Sequence, residues 1–562
     1  MQLERLGAFH QTRLSFVRSI VRKVMEEAWE VECASFDLDA EGYGTCIYHV
    51  RPPDELYSMV IFSQPLEDNE RTDRVIAEKW DLACVLCEGK LTDKRLAELR
   101  VNVPKQEAGR NQTDVLVLSR ANKSTRNFDY VVDCLARGEQ PNPEVLAKVG
   151  YIHRTTAVYG NGKFGVADYN KVQQRSAFAT TFSAQMFAVF MIRHFSLEQI
   201  DHIASRRAPA TAIPLNEEIK RYIGIGNATG LGMAPFLVKH PKLIHSWIYK
   251  REVAIARVIH TQSITVAHVE RLLSLIDKAT THFQQTYTDD TRQAKNNRLI
   301  CQEMLVIKAW LQDQVRALPA TKPNQALQTE GHLWQSLTKW AWHHASLETQ
   351  ELINSLLVEL YPELVDELAK YVSVDERYTL QPEASMGELK QLIETQYQWA
   401  LAIDFNAPRT QHYFWYRSAE KEEPRLGQRA YEPGAEKEMS IGIGRAVQQL
   451  YATIQSLSAA ELEESVIHFL LKYPTNKGTI RRIQALQHEP YSEIQSNLLD
   501  QSCLPIHLLR CKLACFGASK FDPKSDRWVR ITLFQGAPLV SDIGQSFADD
   551  WCFPCMPKVG RG

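Results

Sequence analysis

The chain has 562 residues, beyond the size at which a single hydrophobic core stops growing, so about two to four domains are expected. Its 44% apolar and 23% charged residues are those of a globular protein rather than a disordered or fibrous one. A formal charge of −2 supplies no global field to draw in nucleic acid or an anionic membrane surface, and neither is an expected partner.

The opening "MQLERLGAFHQTRLSFVRSIVRKV" carries charges throughout and lacks the continuous apolar stretch of a secretion signal. The most apolar run, "AFATTFSAQMFAVFMI" at 177–192, is shorter than a membrane span and reads as a buried helix. A cytoplasmic location is the expectation, which makes the eleven cysteines free thiols; their odd number agrees.

In chain order, Leu14, Val17, Val21, Val24 and Ala28 recur at helical spacing and define a first helix. "VECASFDLD" and "GTCIYHV" follow as strands joined by the turn "AEGYG", and "LYSMVIFS", "WDLACVLCEG" and "TDVLVLS" add three more. Residues 1–145 therefore read as an α+β domain with a mixed or antiparallel sheet, and "RGEQPNPEV" at 137–145 reads as a linker. From about 170 to 400 the text is helix after helix, divided at "ALPATKPNQALQTEG" (317–331), with Pro362 either starting a helix or kinking one. The expected segments are 1–145, a helical domain with glycine-rich loops at 146–320, a helical segment at 321–400 and a mostly helical segment with short strands at 401–562. In that last part "QHYFWY" (411–416) reads as a strand, two helices cover 440–472, and "RWVRITLF" (527–534) alternates as a half-buried strand. The fold class is α+β with a large all-helical middle and a C-terminal mixed segment, predominantly α overall.

Four loops carry chemistry-bearing residues. "RYIGIGNATGLGMAPFLVKHP" (221–241) fits G-x-G-x-x-x-G, a loosened dinucleotide fingerprint, but the text before it is helical and no βαβ unit is present. Two readings stand for it. Asn227 or Thr229 caps a new helix whose first-turn N–H groups, with Gly226, face an anion, or the small residues let two helices cross closely. "HRTTAVYGNGKFGVADYNK" (153–171) holds Arg154 and Lys163 as anion-binding residues and His153, Tyr159 and Asp168 as proton-moving ones; its "YGNGKF" is equally a hairpin turn. "HYFWYRSAEKEEPRLGQR" (412–429) places Arg417 beside aromatics, although nearby glutamates make a self-paired charged loop the commoner outcome. "FGASKFDPKSDRWVR" (516–530) sets Lys520 beside Asp522, a pair fit for acid–base work if buried and otherwise a surface turn.

The remaining motifs argue for restraint. "WCFPC" (551–555) copies a redox dithiol's spacing without room for the helix that would activate it. Cys84 and Cys87 lie in a strand, where a three-residue offset diverges, and His343 and His344 point about 100° apart on a helix. Cys511, Cys515, Cys552 and Cys555 make a conceivable zinc set, with buried thiols the favoured reading; no metal site is assigned and no cofactor is identified. No H-E-x-x-H or G-x-S-x-G occurs. The preferred hypothesis is an enzyme acting on a small carboxylate- or phosphate-bearing metabolite, in a cleft between the helical middle and the C-terminal segment, with the reaction undetermined. The rival is a non-catalytic helical scaffold or regulatory binding protein; a nucleotide-dependent oxidoreductase rests on the spaced glycines alone. Nothing in the chain excludes a homo-oligomer.

Overall fold

The computed structural model describes residues 10–67, 80–104, 114–155, 172–230, 241–262, 264–316, 333–372, 380–407, 442–489, 505–524 and 528–558. The chain divides into two compact units, each assembled from separated segments. The larger is Phe9–Thr229, Lys250–Val372 and Leu513–Gly562; the smaller is Met1–Ala8, Gly230–Tyr249 and Ser373–Lys512. The architecture is α+β and predominantly helical, with a mixed sheet.

In the larger unit the five apolar runs expected as strands become β1 (Glu30–Leu38), β2 (Gly44–Arg51), β3 (Tyr57–Ser63), β4 (Leu82–Glu88) and β5 (Val115–Lys123). β3 is buried at every position and β4 at all but Glu88, which is why both read as unbroken apolar text rather than as an alternation. These strands and β6 (Tyr151–Thr155) form an antiparallel meander in chain order. β7 (Gly224–Gly230) then lies parallel to β6, and the hairpin of β8 (Ala518–Pro523) and β9 (Trp528–Leu533) completes a nine-stranded sheet in the order β1-β2-β3-β4-β5-β6-β7-β9-β8. The sheet begun by the N-terminal text is thus finished by strands far along the chain.

Several expectations change here. The glycine-rich stretch is neither a bend between helices nor a helix start: residues 224–230 are strand β7, directly after the short helix Glu217–Tyr222. Small residues are needed because β7 is hemmed in on both sides. A Cβ at Gly224 would run into the Leu533 carbonyl, and one at Gly226 into the Tyr151 ring. Residues 137–145 stay within the larger unit, ending in the helix Pro143–Ala147, and do not link domains. Residues 518–523, favoured as a surface turn, are strand β8, with Lys520 and Asp522 buried. Pro362 starts a helix as its first residue, where its missing N–H costs nothing. The segments 317–331 and 411–416 lie outside the described residues.

The run at 177–192 enters a 25-residue helix, Ser183–Arg207, that is buried on almost every side. No helix among the described residues is long and apolar enough to cross a membrane. One of the helix's buried residues is Arg193, 1% exposed. Its Nε donates to the Ile223 carbonyl at 2.7 Å, Nη1 to Pro538 at 2.9 Å, and Nη2 to Lys220, Arg221 and Ala537 at 3.0 Å each. Carbonyls left open at the end of the helix Glu217–Tyr222 thereby gain a donor, and the guanidinium gains acceptors without a carboxylate. Burial pulls its pKa down to about 9, which still leaves it charged at neutral pH.

A second buried network joins the first helix, Phe16–Glu26, to distant segments. Arg18, fully buried, donates to Asp549 Oδ1 at 2.8 Å and to the Glu359 carboxylate at 3.2 and 2.8 Å. Arg13 forks onto Asp366 at 2.6 and 2.7 Å, and Arg22 reaches Asp549 Oδ2 at 2.9 Å. Three cations and three carboxylates balance, so no net charge is buried.

The smaller unit contains a helical cluster whose core includes Leu389, Ile393, Val447, Leu450, Val466 and Ile483. Capping boxes at Ser385–Glu388 and Ser458–Glu461 set two of its helix starts. Gln381 and Gln484 exchange side-chain-to-backbone hydrogen bonds at 2.8 and 3.0 Å.

Removing one member of the arginine–carboxylate network is expected to be severe. Burial alone would raise the pKa of Asp549, but Arg18, Arg22 and Arg13 outweigh it and hold it well below the carboxylate range. Its contribution is therefore present above the unfolded value of about 3.9 and lost as pH falls below that. Asp549→Asn should lower unfolding free energy by about 3–5 kcal/mol at pH 7. In urea titrations repeated at lower pH, the gap to the unsubstituted protein should close below about pH 4.

Candidate functional site

Arg154 sits in β6 with Asn122 of β5 opposite it on one side and Gly226 of β7 on the other. Residues paired laterally across neighbouring strands project to the same face, and so does Arg120, two residues before Asn122. One step earlier on that face, Leu118 belongs to an apolar cluster with Leu99 and Val103, beneath the helix Asp93–Asn102. From Arg120 onward the face turns polar. The Arg120 guanidinium carbon lies 4.1 Å from the Trp80 ring centroid, and burial brings its pKa down to about 9. Asn122 accepts the Asp81 N–H through Oδ1 at 2.9 Å, which leaves its NH2 as the donor end. Arg120, Asn122 and Arg154 form a strip of hydrogen-bond donors beside a residue with no side chain.

The sequence singled out Arg154 and Gly226 but not Arg120 or Asn122. The signal was present in "LVLSRANK", where a charge and an amide interrupt a run otherwise fit for burial on both faces.

The other expected residues separate. His153 pairs with Lys123 and faces the opposite side of the sheet from Arg154, because consecutive strand residues alternate. Its ring is fully buried and stands edge-on to Phe128, centroids 5.1 Å apart, with Lys123 Nζ 4.5 Å from the same Phe128 centroid. Asn227 is inside a strand and caps no helix; its Nδ2 donates to the Thr155 carbonyl at 2.6 Å and ties β7 to β6. Thr229 lies in β7, its side chain outside the described residues. Tyr159, Lys163, Asp168 and Arg417 also lie outside them. The dinucleotide reading needs glycines at a strand-to-helix turn, whereas Gly224 and Gly226 are inside a strand.

A cavity of about 530 Å³ opens between the helix Glu217–Tyr222, the helix Val266–Gln285 and the C-terminal segment 536–557. This is the place expected for a cleft, although none of the expected residues lines it. Its wall is hung on one helix face. Lys278 donates to the Asp550 carbonyl at 2.7 Å, His282 Nδ1 to the Pro554 carbonyl at 2.7 Å, and Gln285 Oε1 accepts the Met556 N–H at 2.8 Å. Spacings of four and three along the helix align these three side chains.

The Lys520–Asp522 pair is buried, as acid–base work would require. Yet Lys520 Nζ donates to the Ala147 carbonyl at 2.6 Å and Arg530 to the Lys148 carbonyl at 2.9 Å, so both cations serve the end of the helix Pro143–Ala147. Burial lowers the pKa of Lys520 to about 8 and raises that of Asp522, which sits 3.7 Å from Lys524 Nζ and 3.9 Å from Arg530 Nη1. Cysteine chemistry is subdued: burial pushes Cys87 and Cys552 up to about 12. Among the described residues no group of three or more His, Cys, Asp or Glu side chains is placed to hold a metal.

Comparison with known proteins gives no match: no family model, curated protein or solved structure is significantly similar to the chain.

His282 ties acid stability to the cavity wall. Burial lowers its pKa to about 4, so the folded state takes up a proton less readily than the unfolded chain, and stability falls as pH drops from about 6.5 toward 4. His282→Gln, which retains an N–H for the Pro554 carbonyl, should flatten thermal unfolding over that window by about 2–3 kcal/mol. An unchanged pH slope would show that His282 is not the group responsible.

Proposed function

We propose that the chain is an enzyme acting on a small anionic metabolite, carboxylate- or phosphate-bearing, held at the strip on β5–β7. The observation that carries this is the lateral alignment of Arg120, Asn122, Arg154 and Gly226 on three neighbouring strands. Guanidinium groups are planar forks of donors that match carboxylate and phosphate oxygens, and an amide NH2 between them adds a third donor. Gly226 lets a ligand come close to the β7 backbone. Lys163 and Arg417 extend the donor set in this reading. Of the proton-moving residues Tyr159 and Asp168 are retained, since His153 faces the other side of the sheet.

The scaffold reading draws on one observation. Leu305 and Val306 on the helix Thr291–Arg316 are each 55% exposed, and Trp342 on the helix Leu333–His344 is 54% exposed.

The test is calorimetric titration of the full chain with inorganic phosphate, citrate and a panel of phosphorylated sugars. Arg120→Ala and Arg154→Ala are each expected to weaken the best ligand at least about tenfold, because a hydrogen bond to a charged group contributes roughly 1.5–3 kcal/mol. Arg51→Ala, on the distant strand β2, should leave affinity unchanged. Anion binding indifferent to both strip arginines, or no binding at all, would refute the assignment and favour the scaffold.

A further inference from the structure

The cavity on the helix Glu217–Tyr222 has the opposite electrostatic character from the strip. Both of its cations already have partners. Arg221 is forked onto Asp542, with contacts of 3.2 and 2.7 Å, and Lys278 meets the Asp550 carboxylate at 3.2 Å. Glu218, the third lining carboxylate, makes no ion pair among the described residues. Three carboxylates against two cations leave one negative charge facing the opening. The rest of the lining is apolar in good part, with Met25, Tyr222, Pro538 and Pro554 among its residues. Trp551 also lines the cavity; it is 4% exposed, and its indole N–H has no acceptor among the described residues. A buried donor without an acceptor costs free energy that a ligand oxygen would recover.

From this we infer a second ligand site, for a small protonated amine that carries an apolar body and a neutral acceptor oxygen, as in an amino alcohol or an amino-acid amide. The ammonium pairs with Glu218, the body lies on the tyrosine and proline surfaces, and the oxygen accepts from Trp551. The volume of about 530 Å³ suits a molecule of that size. An anionic metabolite is disfavoured here because each cation would first have to leave its carboxylate. The two sites are thus distinct in place and in ligand charge.

Phenylalaninamide is the probe, titrated into the full-length protein at low salt. 3-Phenylpropanamide, the same molecule without its amine, is expected to bind at least tenfold more weakly. Glu218 is exposed, so Glu218→Gln should leave the melting temperature unchanged while lowering phenylalaninamide affinity about tenfold. Trp551→Phe, which removes only the N–H donor, should weaken phenylalaninamide several-fold and leave 2-phenylethylamine, which has no oxygen, unaffected. Absence of saturable binding up to millimolar phenylalaninamide would overturn the inference. Equal affinity for the amine and its deaminated analogue, or indifference to Glu218→Gln, would do the same. Because Glu218 is remote from Arg120 and Arg154 in the sheet order and lies on a helix, phosphate or citrate binding at the strip is expected to survive its substitution, so the two assignments fail separately.

Discussion

A guanidinium without access to water must be surrounded by acceptors, and Arg193 is where the larger unit meets that demand. Its carbonyl partners come from the end of the helix Glu217–Tyr222 and from residues 537–538, neither of them near it in the chain. Holding Ile223 fixes the entry to β7, and holding Pro538 fixes part of the cavity lining. The strip and the cavity therefore share one anchor. A hydrophobic residue at 193 would fill the same space yet leave several buried carbonyls without donors. The arginine–carboxylate network around Arg18 acts in the same way at residue 549, where the C-terminal segment turns toward the cavity.

The sheet explains why polar residues gather where they do. Across β3 and β4 both faces are covered, and the side chains are apolar almost without exception. At β5–β7 the pairing changes from antiparallel to parallel, and Arg120, Asn122 and Arg154 replace the apolar side chains on one face. The other face keeps its cover, and the groups there, Lys123 and His153, lie against Phe128. One strand thus presents two consecutive residues to unlike environments, which is why His153 and Arg154 cannot serve one ligand together.

The glycines show how one composition can serve different ends. Close approach to a phosphate and close approach to another strand both require the absence of a Cβ. At Gly224 the neighbour is the Leu533 carbonyl and at Gly226 the Tyr151 ring, so packing already accounts for both residues. Gly226 also leaves a gap beside Arg154, and its place in the proposed anion site rests on that gap rather than on a phosphate loop.

By itself the sequence determined the elements whose burial is decided locally. The first helix, the five strands from Glu30 to Lys123, the buried helix containing residues 183–192 and the strand at 528–533 were legible, because hydrophobic period and run length reflect the face each element buries. It also marked Arg154 and Gly226 as residues of interest. Only the tertiary structure decided the rest. That β7 is a strand depends on β6 and β9 flanking it, since "GIGNATG" has little strand propensity of its own. That Arg120 and Asn122 join Arg154 depends on a register set across three strands, and that Lys278, His282 and Gln285 carry the C-terminal segment depends on contacts some 270 residues apart in the chain. Local pattern reports what an element must bury, but not which distant element will bury it.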